Sequence, residues 1–107
     1  MSIQPLFQEL VDKANQNPAG IEGVDAVFQF DLDGGGQHQV KLKEGQAEYA
    51  EGTPWEAACT LLASEDLLAK LVRGEQSPVT AMMTGKLKVK GNLGLASKLQ
   101  AILKTYQ

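Results

Sequence analysis

Ala26-Val27-Phe28-Gln29-Phe30-Asp31-Leu32-Asp33-Gly34-Gly35-Gly36-Gln37-His38-Gln39-Val40-Lys41-Leu42 is the stretch on which the fold turns. Ala26, Phe28, Phe30 and Leu32 point one way and Val27, Gln29 and Asp31 the other, the period-two pattern of a half-buried strand. The glycines after Asp33 supply the positive φ of a tight reversal. Alternation then resumes, with His38, Val40 and Leu42 opposed to Gln37, Gln39, Lys41 and Lys43. Lys43-Glu44-Gly45 predicts a second reversal and Gln46 to Glu51 a third, weaker strand. Three consecutive strands with short turns predict an antiparallel meander.

Upstream, Ile3, Leu6, Phe7, Leu10, Val11 and Ala14 recur at helical spacing, one apolar stripe from Ser2 to Ala14. Ser2 is the expected N-cap, Asn17-Pro18 stops the helix, and Gly20-Ile21-Glu22-Gly23 is a connector or short helical turn. Downstream, Glu56 to Ala63 predicts a fourth strand after Thr53-Pro54-Trp55. Ser64 caps a helix whose first turn carries Glu65 and Asp66, matched to the helix dipole, and Gly74 ends it. Ser77-Pro78 opens a short helix through Met82 and Met83. Lys86-Leu87-Lys88-Val89-Lys90 predicts a fifth strand, and Gly91-Asn92 turns into a last helix with Leu95, Leu99, Ile102, Leu103 and Tyr106 on one face. The order α-β-β-β-β-α-α-β-α predicts an α+β fold, a five-stranded mostly antiparallel sheet with helices covering one face.

With 107 residues, 43% of them hydrophobic and 21% charged, the chain is expected to form one globular domain over 1–107. No apolar run approaches the roughly 20 residues of a membrane span, and Met1-Ser2-Ile3-Gln4-Pro5 does not open a signal peptide; a cytoplasmic setting is expected. The net charge of −3 is unevenly spread. Residues 1–66 hold twelve acidic and three basic side chains, residues 67–107 one acidic and seven basic. The acidic total argues against nucleic acid as a partner. Lys86, Lys88 and Lys90, with Lys98 and Lys104, form a basic group that serves either as a solvated edge against sheet-to-sheet association or as a transient contact to anionic membrane headgroups.

The motifs of chemistry fail on inspection. Asp31-Leu32-Asp33-Gly34 opens like a calcium loop, but Leu42 stands where the closing acid belongs. Gly34-Gly35-Gly36 lacks dinucleotide spacing, and Gly85-Lys86 lacks the first glycine and the hydroxyl of a phosphate loop. One cysteine, Cys59, and one histidine, His38, leave no disulfide framework, no multi-cysteine zinc site and no two-histidine metal site. Cys59 shares an interior row with Ala57, Leu61 and Ala63 and reads as a buried structural thiol. His38 reads as a packed or half-exposed strand-end residue. No enzyme, metal or cofactor is expected. Met82 and Met83 are ordinary core gap-fillers, or flexible walls of a site that adapts to ligands of differing shape.

Thr84-Gly85-Lys86-Leu87-Lys88-Val89-Lys90-Gly91-Asn92-Leu93-Gly94-Leu95-Ala96-Ser97-Lys98-Leu99 resembles the signature of the sterol carrier protein type 2 family, in which a Gly-Lys-Leu-Lys strand leads through Gly-Asn/Asp into a helix with Leu-Ala-x-Lys-Leu. Asp33-Gly34-Gly35 matches the family's first hairpin, Ala57-Ala58-Cys59-Thr60-Leu61 its fourth strand and Ser64 to Gly74 its next helix. Ala58 stands where the family often has an acid, and Met82 and Met83 where it has bulky aromatics, which alters the expected pocket. The ending Lys104-Thr105-Tyr106-Gln107 differs from the peroxisomal signal common in eukaryotic members.

The resemblance implies an intracellular carrier that binds and transfers one fatty acyl, sterol-like or isoprenoid ligand in an apolar cavity between sheet and helices. Phe28, Phe30, Leu71, Met82, Met83, Leu95, Leu99 and Leu103 are the expected cavity residues; the lysine row itself, not the resemblance, makes Lys86, Lys88, Lys90 and Lys98 candidate membrane contacts, behind their reading as a solvated edge. The alternative is an accessory subunit that presents lipid to a biosynthetic enzyme. Either form is a monomer or a homodimer.

Overall fold

The computed structural model describes residues 3–106, so the Ser2 cap lies outside the described residues. Helix α1 (Gln4–Gln16) begins with Ile3 at its N-cap position and Pro5 in its first turn. Its stripe buries Phe7, Leu10, Val11 and Ala14, each large member contributing about 1.5–3 kcal/mol. A 3₁₀ turn at Pro18–Ile21 leads to β1 (Ala26–Asp33), β2 (Gly36–Lys43) and β3 (Gln46–Glu51). The predicted meander pairs antiparallel, with Phe28 opposite Val40 and Phe30 opposite His38.

The sheet order is β3-β2-β1-β4-β5. β4 (Cys59–Ser64) pairs with β1 in parallel, a mixed element in an otherwise antiparallel sheet. That pairing requires residues 52–58 to cross from the far edge. They do so over the face opposite the helices, and Gln39 holds them there. Its Nε2 donates to the Trp55 carbonyl (2.9 Å) and to Gln29 Oε1 (3.0 Å), while its Oε1 accepts from the Trp55 N–H (2.9 Å). Gln39 is fully buried although it stands on the polar parity of β2. The Ala58 N–H then donates to the Val27 carbonyl, so the predicted fourth strand begins at Cys59 rather than Glu56.

Helix α2 (Glu65–Val72) is capped as expected, Ser64 Oγ accepting from the Leu67 N–H at 3.1 Å. Helix α3 (Pro78–Met83) has Ser77 at its N-cap without a side-chain capping bond. It buries one residue, Ala81, whose carbonyl accepts from both the Lys86 and Leu87 N–H groups. Those bonds hold Lys86 and Leu87 out of the sheet, so β5 spans Lys88–Gly91. Gly91, at φ 90°, has no room for a Cβ, which would meet the Ala58 carbonyl oxygen at 2.7 Å. Helix α4 (Leu93–Thr105) follows, capped by Asn92 Oδ1 accepting from the Gly94 N–H. At its far end the Tyr106 hydroxyl accepts from the Gly20 N–H and donates to the Asn17 carbonyl.

Candidate functional site

Under α1 the core is closed. Phe7 packs on Phe30 (ring centroids 5.1 Å apart) and stacks on His38 and Tyr49. His38 is 5% exposed, with Nε2 2.7 Å from the Gly35 carbonyl and Nδ1 2.7 Å from the Tyr49 hydroxyl. The carbonyl can only accept, so Nε2 carries a hydrogen. Burial, and secondarily the Glu51 carboxylate, pushes the Tyr49 hydroxyl above its ordinary range. Asn15 bonds both the N–H and the carbonyl of Ala47, occupying part of the free edge of β3. Among the described residues no buried side-chain polar atom is without a partner.

At the opposite edge the layers part around an apolar cavity of about 230 Å³. Its floor is one cross-strand row, Phe30 on β1 beside Leu61 on β4 beside Val89 on β5. Leu68 and Leu71 of α2 close one end. Pro78, Val79 and Met82 of α3 form one lip, and Leu93, Ala96 and Ser97 of α4 the other, with Leu87, Leu99, Gln100 and Leu103 completing the wall. No charged side chain lines it. Ser97 and Gln100 are its polar members, so the hydrocarbon part of a ligand meets almost nothing but hydrocarbon.

Five of the eight expected residues meet there: Phe30, Leu71, Met82, Leu99 and Leu103. Phe28 does not. It sits one repeat earlier on the same face of β1, between Val40 and Cys59 in register, and is filled-in core. Met83 is 83% exposed and turned out of the cavity, and Leu95 is half-buried on α4 outside its wall. The reading missed Leu61 and Val89, although both stand on the apolar parity of their strands. It also missed Leu87, Leu93 and Leu68, whose placement depends on how α2, α3 and α4 pack.

The lysines lie elsewhere. Val89 faces the cavity, so Lys88 and Lys90 alternate to the opposite face of β5. Lys86 and Lys88 border a shallow, open groove with Asp31, Asp33 and Ser64. That groove has a larger volume, about 580 Å³, but no enclosed apolar interior. Lys98 is exposed on α4. Cys59 is 1% exposed, and burial pushes its thiol up, away from the nucleophilic thiolate. Among the described residues no group of three or more metal-ligating side chains occurs, and no helix is long and apolar enough to cross a membrane.

Residues 7–104 match the family model described as the SCP-2 sterol transfer family. The chain belongs to that family. The fold is a lipid-binding one, and lipid binding and transfer is what the family membership implies. Sterol carrier protein 2 of Bos taurus is 38% identical over 102 residues, covering 89% of this chain and 19% of that protein. The chain spans about a fifth of the length of the curated relatives it matches. A solved structure of sterol carrier protein 2 from Yarrowia lipolytica, in apo form, superposes with a TM-score of 0.71 at 30% identity, covering 95% of this chain and 89% of that one. A structure titled UbiJ-SCP2 ubiquinone synthesis protein gives 0.81 at 18% identity, covering 98% and 95%, and shares the fold.

Proposed function

We propose that this domain binds one lipid-like molecule, fatty acyl, sterol-like or isoprenoid, with its apolar part in the cavity beneath α3 and α4, and carries it between sites. The observation that carries the reading is an uncharged apolar cavity built on Phe30, Leu61 and Val89 in a chain of this family. Each methylene drawn in contributes about 0.8 kcal/mol, against several kcal/mol of association and ordering cost. The cavity is smaller than the roughly 300–1,000 Å³ of common ligand sites. A long chain therefore overfills it and extends through the mouth, where the flexible Met82 side chain gives way. A charged headgroup stays at that mouth, since nothing inside would compensate its desolvation.

Titration with a fluorescent long-chain fatty acid tests this, together with native mass spectrometry of the gently purified protein. One saturable site per chain, competed by unlabelled lipid, is expected; no saturable signal from any long-chain acyl, sterol or polyprenyl probe overturns the reading. The second reading, an accessory subunit that presents lipid to a biosynthetic enzyme, is supported by the fold shared with a protein titled as a ubiquinone synthesis protein. It differs from the first in requiring a protein partner for transfer.

A further inference from the structure

Two polar side chains, Ser97 and Gln100, stand in the otherwise apolar wall of the cavity, three residues apart on α4. That spacing puts them on one face of the helix, one above the other. Ser97 belongs to the lip and is exposed; Gln100, nearly a turn further along, is half-buried. Among the described residues neither side chain bonds another group of the protein. Comparable groups elsewhere are engaged. Gln29 and Gln39 bond each other and their surroundings, and the hydroxyls of Thr84 and Thr105 fold back onto carbonyls one turn earlier. Ser97 does not fold back in this way. Without a partner and without a sealed polar atom, the Gln100 amide stays open on the cavity wall.

An amide and a hydroxyl each donate and accept hydrogen bonds. No cation joins them: Lys98 and Lys104, the lysines of α4, are exposed and off the wall. An uncharged oxygen can therefore exchange its bonds to water for bonds to Gln100 and Ser97. A carboxylate or phosphate loses far more on leaving water than two neutral dipoles restore. An ionised head stays outside the mouth and holds the methylenes beside it there, and each methylene kept out forfeits about fourfold in affinity. We infer that the ligand carries an uncharged oxygen function, hydroxyl or carbonyl, at one end of its apolar body, that Gln100 and Ser97 receive it, and that ionised lipids are the poorer ligands of this cavity. The inference rests on the carrier reading and narrows it, and it makes Gln100 a specificity-determining residue.

The test titrates the full chain with two probes of the same fluorophore and chain length, a fatty acid and the matching fatty alcohol, at about pH 8, where the acid is ionised. The alcohol is expected to bind about tenfold tighter, since one or two methylenes stay outside with the acid. An ionised head weakens binding to any apolar site, so the variants decide. Gln100→Leu, of similar volume, is expected to weaken the alcohol about fivefold, the size of one net hydrogen bond, and to leave the acid unchanged. Ser97→Ala is expected to weaken the alcohol about twofold, again without touching the acid. Both variants are expected to melt with the wild-type chain, because neither side chain bonds a group of the protein. Equal changes for acid and alcohol in the two variants, or no change for either probe, overturn the inference. So does an acid that binds the wild-type chain as tightly as the alcohol. An acid affinity that falls in Lys104→Gln and at high salt also overturns it, by giving the head to that lysine. Failure of the carrier reading looks different: neither probe saturates in any of the proteins.

Discussion

The two edges of the sheet are built to opposite standards. On the side of α1 every layer is closed: Phe7 sits against three rings, Phe28 is fully buried, and His38, Gln39 and Asn15 each spend their hydrogen-bonding groups on a named partner. On the side of β5 the helices stand off the sheet, leave a cavity and expose four large apolar side chains. Phe30 belongs to both, touching Phe7 on one side and flooring the cavity on the other. The difference teaches where each part of the free energy resides. The closed side supplies the stability that permits the other side to stay under-packed, and under-packed apolar space is what a lipid needs.

Removing Phe28 should break that division most severely. Phe28→Ala leaves a void between Val40 and Cys59 and is expected to cost about 3–5 kcal/mol in urea unfolding. A loss below 1 kcal/mol would show that the closed side is not close-packed. Gln39→Ala comes next. It strips the partners from the Trp55 main chain and from Gln29, leaving buried polar groups unmatched at about 1–3 kcal/mol. The same unfolding measurement checks it, and an unchanged midpoint would mean that residues 52–58 hold without their clamp.

The open side should respond in binding rather than in stability. Met82→Trp puts bulk into the cavity, so lipid affinity is expected to fall tenfold or more, about 1.4 kcal/mol, with little change in melting temperature. In a filled core the same insertion would cost about 1–3 kcal/mol of stability. Met83→Trp, on the exposed neighbour, is expected to alter neither quantity. Should Met82→Trp melt far below wild type while binding lipid normally, the contrast between the two sides disappears.

The smallest effect is alkaline. Burial raises both the Cys59 thiol and the Tyr49 hydroxyl above their ordinary ranges, so the folded chain prefers both neutral. Their contribution to stability is fully present below the ordinary thiol range, roughly pH 8.5. It is lost as pH rises through the raised folded values. Unfolding free energy measured from pH 7 to 10.5 should be flat and then decline, and Cys59→Ala should remove the earlier part of the decline. Stability rising with pH above 9 would contradict the sign.

Much of this architecture was legible because it is local. The α1 stripe, the alternation of β1 and β2 and the Ser64 cap are each written within a dozen residues, where period and capping chemistry act directly. Gln39 was not legible. Its parity says solvent, and only the crossing of Trp55 over that face, sixteen residues later in the chain, buries it. The parallel pairing of β1 with β4 is equally non-local. The cavity was half legible for the same reason. Phe30 and Leu71 follow from their own elements, whereas the choice between Phe28 and Phe30, or between Met82 and Met83, depends on how far the helices stand from the sheet. No periodicity encodes that distance.

Ala81 sets the terms on which the cavity can be entered. It is the one buried residue of α3, a helix of six residues with positive-φ glycines at 74 and 85 on either side. Lifting α3 uncovers the Ala81 methyl group and the inner sides of Pro78, Val79 and Met82 and frees the two N–H groups bonded to the Ala81 carbonyl, while every strand of the sheet stays paired. The chain therefore has two scales of opening, a cheap one confined to residues 75–86, which stops short of the buried Leu87, and a costly one that is global unfolding. In amide exchange the first segment should trade its hydrogens by local fluctuation, long before β1 and β2 do. The lipid's way in is thus decoupled from the survival of the fold.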